Sequence, residues 1–301
     1  MRDITDKIVT LRFAKARAQL RVSLDATAAA IANNTVPKGR VYDMAKAAAL
    51  LAIKRTSDTI PDCHPIPVEF ATVDFELENR ILTIDVSVKT IYKTGVEVEA
   101  MYGASVAAIT AYDMLKPLDD DIEVVSIKLL EKTGGKTQYQ ELLKKRPRSA
   151  VVVCSDTVSA GKKEDRAGRA ICAELDALQV PVEVFKIIPD DPEQIRACVE
   201  QFHRAGIRLL IFSGGTGLSA RDQTPETIRP LLTREIPGIA EAIRAYGQQR
   251  TPYAMLSRSV AGYYGEMLML ALPGSTNGAR ESMKAIFPFL LHVFYADNHE
   301  N

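Results

Sequence analysis

The chain carries no net charge. Its 38 Lys and Arg balance 38 Asp and Glu over 301 residues, which argues against a nucleic-acid binder that works by neutralising phosphates. Long apolar runs are missing too. The longest late stretch, Ile286 to Ala296, is broken by Pro288 and His292 and falls short of the ~20 residues that cross a bilayer. Met1 to Lys7 lacks the apolar core of a secretory signal. Cysteine is scarce, and Cys63, Cys154, Cys172 and Cys198 form no C-x-x-C pair. Three of them sit in apolar strand or helix patterns, so they are expected to be buried thiols in a reducing, cytosolic compartment. Neither a disulfide framework nor a zinc site fits them. The two halves share no repeat. Gly135-Lys136-Thr137 ends like a P-loop, but the first glycine that motif needs is replaced by Leu130.

What is present divides the chain in two. Residues 132–149 are polar, with adjacent glycines and a proline, and cannot bury enough side chain to order as core. The expected organisation is a domain over 1–137, a linker over 138–149 and a second domain over 150–301. Strands alternate apolar and polar before this stretch, whereas Val151-Val152-Val153-Cys154 after it is solidly apolar. The fold class is α/β overall. The first domain is expected to be α+β, an antiparallel sheet with packed helices. The second is expected to be a doubly wound, mostly parallel α/β sheet.

In the first half, residues 8–23 predict a strand and its lead-in. Val41, Met44, Ala45, Ala48, Leu51 and Ala52 recur at helical spacing and predict a helix over 40–56. Pro61, Pro65 and Pro67 stiffen the loop that presents Cys63-His64. Loop histidines usually serve only to hydrogen-bond the loop, and geometry decides whether one is catalytic. Residues 68–77 and 81–91 predict an antiparallel hairpin, and 121–130 a last strand. Between Glu99 and Asp113 no residue is charged, which predicts a helix buried all round. Its charged ends lie about 21 Å apart at 1.5 Å rise per residue. One pocket could therefore use both ends only if two subunits contributed.

These residues carry a resemblance. Lys38-Gly39, Lys54-Arg55-Thr56, Cys63-His64-Pro65, Thr94-Gly95-Val96-Glu97 with Glu99, Tyr112-Asp113-Met114 with Lys116, and Lys132 with Gly134-Gly135-Lys136 resemble the cyclic pyranopterin monophosphate synthases of MoaC type. That family rearranges cyclised dihydro-GTP into cyclic pyranopterin monophosphate and releases pyrophosphate. The resemblance implies catalytic roles for Lys38, His64, Asp113 and Lys116, the last tuned by Asp113 and by burial. It implies substrate contacts from Lys54, Cys63, Glu97, Val98 and Glu99, no cofactor for this domain, and a hexamer built as a trimer of dimers. Arg40, Lys46, Asp62 and Val98 depart from the family's pattern.

In the second half, short apolar strands (151–154, 182–188, 209–212, 267–272) alternate with helical patterns (165–178, 192–205). That is a parallel sheet covered on both faces, with ligands beyond the carboxyl ends of its strands. Those ends carry Ser155-Asp156, Pro189-Asp190, Ser213-Gly214-Gly215-Thr216-Gly217 and Pro273-Gly274-Ser275. Glycines there expose N–H groups to a phosphate, although a lone Gly-Gly-x-Gly is more often a turn. Thr224 is expected to cap the next helix, with Pro225 in its first turn. Together with Asp222-Gln223-Thr224-Pro225-Glu226 and Leu256-Ser257-Arg258, the set resembles the MogA/MoaB family of molybdopterin-binding proteins. Members adenylylate molybdopterin with Mg-ATP. The resemblance implies Asp190 and Asp222 as catalytic acids acting through Mg²⁺. Gly214, Gly215, Thr216 and Gly217 would cradle phosphate near Ser155 and Asp156, and Ser257, Pro273, Gly274 and Ser275 would flank pterin or nucleotide. The expectation is a cytosolic, bifunctional enzyme of molybdenum cofactor biosynthesis, with no membrane or nucleic-acid partner. The alternative is that the second domain binds molybdopterin as a non-catalytic scaffold.

Overall fold

A computed structural model describes residues 1–135 and 146–296. Of the expected linker, 138–145 lies outside the described residues. The chain separates into two compact units, Met1–Gln138 and Tyr139–Asn301.

The first unit is a four-stranded antiparallel sheet under helices. Its strands are β1 (Thr10–Arg21), β2 (Phe70–Glu78), β3 (Ile81–Tyr92) and β4 (Glu123–Thr133), in the order β2-β3-β1-β4. Asn79 and Arg80 join β2 to β3 with φ of 47° and 64°, the left-handed pair that a tight hairpin turn requires. In β1, Ala14, Ala16, Ala18 and Leu20 are buried while the residues between them are not. Helices α1 (Asp25–Ala32), α2 (Val41–Lys54), α3 (Thr56–Thr59) and α4 (Glu97–Leu115) complete the unit. Small side chains set the packing distance. Ala100, Ala104, Ala107, Ala108 and Ala111 of α4 join the alanines of β1 in one core. A Cβ on Gly103 would lie 2.6 Å from the Ile53 side chain of α2.

One expectation changes here. Helix α4 is not buried all round: Val98, Ile109 and Tyr112 are 42%, 60% and 40% exposed. Its uncharged middle reflects an uncovered apolar face as well as a core. Helix α1 was not foreseen, because Asp25-Ala26-Thr27-Ala28-Ala29-Ala30 has no stripe of large apolar residues.

The second unit is a six-stranded sheet with β5 (Ser149–Cys154), β6 (Val182–Ile188), β7 (Leu209–Ser213), β8 (Arg234–Glu235), β9 (Val260–Tyr264) and β10 (Met267–Leu272), in the order β6-β5-β7-β10-β9-β8. Strands β6, β5, β7 and β10 run parallel, whereas β9 and β8 are antiparallel additions at one edge. Every residue of β5, β7 and β10 is buried, as strands covered on both faces require. The helices are α5 (Asp156–Ser159), α6 (Ala167–Ala177), α7 (Pro192–Arg204), α8 (Thr224–Ile228), α9 (Pro237–Gln248), α10 (Thr276–Ile286) and α11 (Val293–Ala296). Asp191 caps α7, accepting from Glu193 N–H at 2.9 Å with Pro192 in the first turn. Thr224 does not cap α8. It is the helix's first residue and is buried, and Gln223 holds the cap position without a side-chain capping bond. Cys154 and Cys198 are buried, but Cys172 on α6 is only half-buried. Among the described residues no helix is long and apolar enough to cross a membrane.

Candidate active sites

The first unit gathers charged side chains at both ends of α4. At its C-terminal end, Asp113 accepts from Lys38 Nζ and lies against Lys116 Nζ, each at 2.8 Å. The two ammonium groups, Lys116 first, hold the Asp113 carboxyl down at about 2. Asp113 in turn raises Lys116. All three side chains are largely exposed. In the single chain the carboxylate partner outweighs burial at Lys116, and the two act in opposite directions.

At the N-terminal end, Glu99 is 2% exposed, and its Oε2 has no hydrogen-bond partner. Its Oε1 accepts from Cys63 Sγ at 3.2 Å. Burial raises the Glu99 carboxyl, with Glu97 adding to the effect. Burial, then Glu99, pushes the Cys63 thiol up to about 11. Glu97 pairs with Lys132 at 3.4 Å. His64 Nε2 lies 2.8 Å from the Arg2 carbonyl. Because a carbonyl only accepts, Nε2 carries a proton in this contact. Lys54 closes α2, exposed, one residue beyond the Ile53 that packs on Gly103. The site residues of this unit thus fall into two clusters on one helix, with Val98 exposed beside the second.

In the second unit, the loops after β5, β6, β7 and β10 converge beyond the carboxyl ends of the strands. Asp156 and Asp190 clasp each other: Asp190 N–H donates to Asp156 Oδ1 at 3.1 Å, and Asp156 N–H to Asp190 Oδ2 at 3.3 Å. Asp190 Oδ1 is buried without a partner. Burial raises its carboxyl, and the carboxylates of Asp156 and Asp222 add to the rise.

The glycines are placed by close approach. Gly214, at φ +106°, would set a Cβ 2.1 Å from the Cys154 carbonyl, and a Cβ on Gly274 would lie 2.9 Å from Gly214 Cα. Two cavities share Gly274 and Ser275. The smaller, 350 Å³, is lined by Ser155, Asp190, Gly214, Gly215 and Asp222 among others. The larger, 640 Å³, takes Thr216, Gly217, Ser257 and Pro273 with Arg244, Arg250, Tyr253 and Glu281. Both volumes suit small-molecule ligands.

A MoaC family model matches residues 1–135, and a model of a probable molybdopterin binding domain matches residues 150–292. A molybdenum cofactor biosynthesis bifunctional protein of Chlorobaculum tepidum is 38% identical over 294 residues, 98% of this chain and 93% of its own length. The chain belongs to the bifunctional molybdenum cofactor biosynthesis proteins. A cyclic pyranopterin monophosphate synthase of Deinococcus radiodurans is 45% identical over 141 residues, 46% of this chain and 83% of its own length. The solved structure of the molybdopterin biosynthesis enzyme MoaB of Thermus thermophilus is 40% identical, covering 50% of this chain and 97% of that one with a TM-score of 0.47.

Within this bifunctional family the chain joins a MoaC domain to a domain of MogA/MoaB type. Sequence reasoning named the strand-end residues of the second domain but assigned nothing to Arg244, Arg250, Tyr253 or Glu281. These stand on α9, in the segment after it and on α10, and reach the cavity only through tertiary packing. Arg258 was noted within Leu256-Ser257-Arg258, but its contacts with main-chain carbonyls leave no pattern in the sequence.

Proposed function

We propose that the first domain converts cyclised dihydro-GTP to cyclic pyranopterin monophosphate with release of pyrophosphate, and that the second adenylylates molybdopterin with Mg-ATP. In the first domain, Lys38 and Lys116 bind and neutralise phosphate charge as pyrophosphate departs. Asp113 holds both ammonium groups in place, and Lys116 moves protons with His64 as second acid/base. Glu97, Glu99, Cys63, Val98 and Lys54 line the same pocket once a second copy supplies the far end of α4. The uncovered Val98, Ile109 and Tyr112 on α4, with Met44 and Leu51 on α2, support such a contact. The assembly is a cytosolic homohexamer, a trimer of dimers, and light scattering should report six copies. Lys116→Ala should abolish formation of the cyclic product. Retained activity would remove Lys116 from the catalytic set.

One observation carries the reading of the second domain. Asp190, whose Oδ1 is buried without a hydrogen-bond partner, lines the cavity that Asp222 and the glycine loop also line. A carboxylate oxygen kept without a donor suits a cation. Mg²⁺ commonly takes one or two carboxylates and leaves the rest of its shell to water and substrate phosphates. Bound there with ATP, Mg²⁺ would supply charge neutralisation at the reacting phosphate. The terminal phosphate oxygen of molybdopterin attacks the α-phosphorus of ATP. The new O–P bond forms as the bond to the bridging oxygen breaks, and pyrophosphate leaves. Gly214 to Gly217 cradle phosphate, Ser155 and Asp156 close one side, and Ser257, Pro273, Gly274 and Ser275 flank pterin or nucleotide. The test is to mix the protein with molybdopterin and Mg-ATP and look for adenylyl-molybdopterin and pyrophosphate, with Asp222→Ala as control. Tight pterin binding without product would overturn the transferase in favour of the scaffold.

A further inference from the structure

The outer part of the loop that carries the glycines and Asp222 is held to the rest of its domain chiefly by one side chain. Arg258 Nε donates to the Gly217 carbonyl at 2.7 Å, and its Nη2 donates to the Asp222 carbonyl at 2.5 Å. Its Nη1 pairs with the Glu226 carboxylate just beyond the loop, and its backbone N–H donates to the Thr216 carbonyl at 3.3 Å. The bonds within the loop close on the loop itself. Ser219 N–H donates to Asp222 Oδ2 at 2.9 Å, Asp222 N–H to the Ser219 carbonyl at 2.9 Å, and Gln223 Nε2 to the Ala220 carbonyl at 3.2 Å. Arg221 reaches Asp156 at a looser 3.7 Å with its own side chain 82% exposed. Such internal bonds fix the loop's shape but not its position over the site. Position is what Arg258 supplies, because Gly217 and Asp222 bracket the loop's outer turn and the guanidinium spans them.

The same loop borders both cavities. Gly215 and Asp222 face the smaller one, Thr216 and Gly217 the larger, and Leu256 and Ser257, just before Arg258, line the larger. We propose that Arg258 is the positioning residue of the second site, holding the loop of residues 216–223 at the border of two ligand cavities and presenting Asp222 to the smaller one. The assignment rests on the adenylyl-transfer reading for its kinetic consequence but not for its structural one. A planar guanidinium donates in several fixed directions at once, whereas an ammonium is a point charge on a flexible stem. Lysine keeps the charge and loses the span.

The test uses the full chain carrying Arg258→Lys, with Arg258→Ala beside it. Hydrogen exchange is followed at residues 216–223 and at β7 and β10, together with adenylyl transfer. The expected result is exchange at 216–223 faster by roughly tenfold, with β7 and β10 unchanged. The kcat for transfer should fall about a hundredfold, the scale of a misplacement near 1 Å, while KM for molybdopterin moves little. Methylguanidinium should restore part of the lost protection and rate in Arg258→Ala. Unchanged loop exchange in both variants would overturn the proposal. Loss of protection in β7 and β10 as well would also overturn it, by making Arg258 a residue of the fold. If the unaltered protein binds molybdopterin and transfers nothing, the adenylyl-transfer reading fails, and the exchange measurement still decides the role of Arg258.

Discussion

Glu99 is buried with one carboxylate oxygen unpartnered, so the fold works against its charge. Its carboxyl is raised above the ordinary 4.5, chiefly by burial. A raised carboxyl stabilises the fold below the unfolded value, and that stability is lost as pH rises through the folded value. Glu99→Gln keeps the shape and removes the charge. Its melting temperature should match the unaltered protein near pH 4 and exceed it at pH 7.5, while formation of the cyclic product falls. An equal or lower melting temperature at pH 7.5 would mean that the ionised carboxylate is already compensated. Legibility at this scale followed chemistry. Asp190, Asp222 and the glycines stand out because strand ends and turns constrain residue type. The Asp156–Asp190 clasp and the Arg258 tie do not, because each side chain bonds to backbone groups, which every residue offers.

Among elements, α2 and α4 meet where Gly103 faces Ile53 and Val86, leaving no room for a Cβ. Gly103→Val would overpack this contact and cost about 2 kcal/mol. For a domain of this size that lowers the melting temperature by roughly 8 °C, to be read by circular dichroism against Ala111→Gly as a control in the same helix. A shift under about 2 °C would show that Ile53 moves aside. Helices α2, α4, α6 and α7 and the buried strands are readable because their periods are long or their runs solid, whereas α1 carries no stripe of large apolar residues. Strands β8 and β9 were not readable. The first has two residues, and the second contains Gly262, which takes a close approach from the Arg234 carbonyl. The expected burial of α4 failed for a different reason. An uncharged stretch signals a surface removed from water, but it does not say whether the chain's own core or another molecule removes it.

Each unit of the whole molecule closes its own core, and the two cores differ in kind. The first is rich in alanine, with Ala14, Ala16, Ala18, Ala104 and Ala107 all inaccessible beside larger side chains such as Leu82 and Ile84. The second is built on larger side chains such as Phe202, Phe212, Ile195 and Met269. Hydrophobic stabilisation scales with apolar area removed from water, about 25 cal/mol per Å², so an alanine core yields less of it per residue. The first unit also leaves Ile109, Met44 and Leu51 uncovered, and covering them between copies adds area that a lone copy lacks. Two unfolding steps are therefore expected in calorimetry. The lower belongs to the first unit and rises with protein concentration, because association stabilises only the folded form. Gly103→Val should move that step and leave the upper one in place. A single step that Gly103→Val shifts whole would mean the two cores unfold together, and a lower step indifferent to concentration would mean that the alanine core needs no second copy.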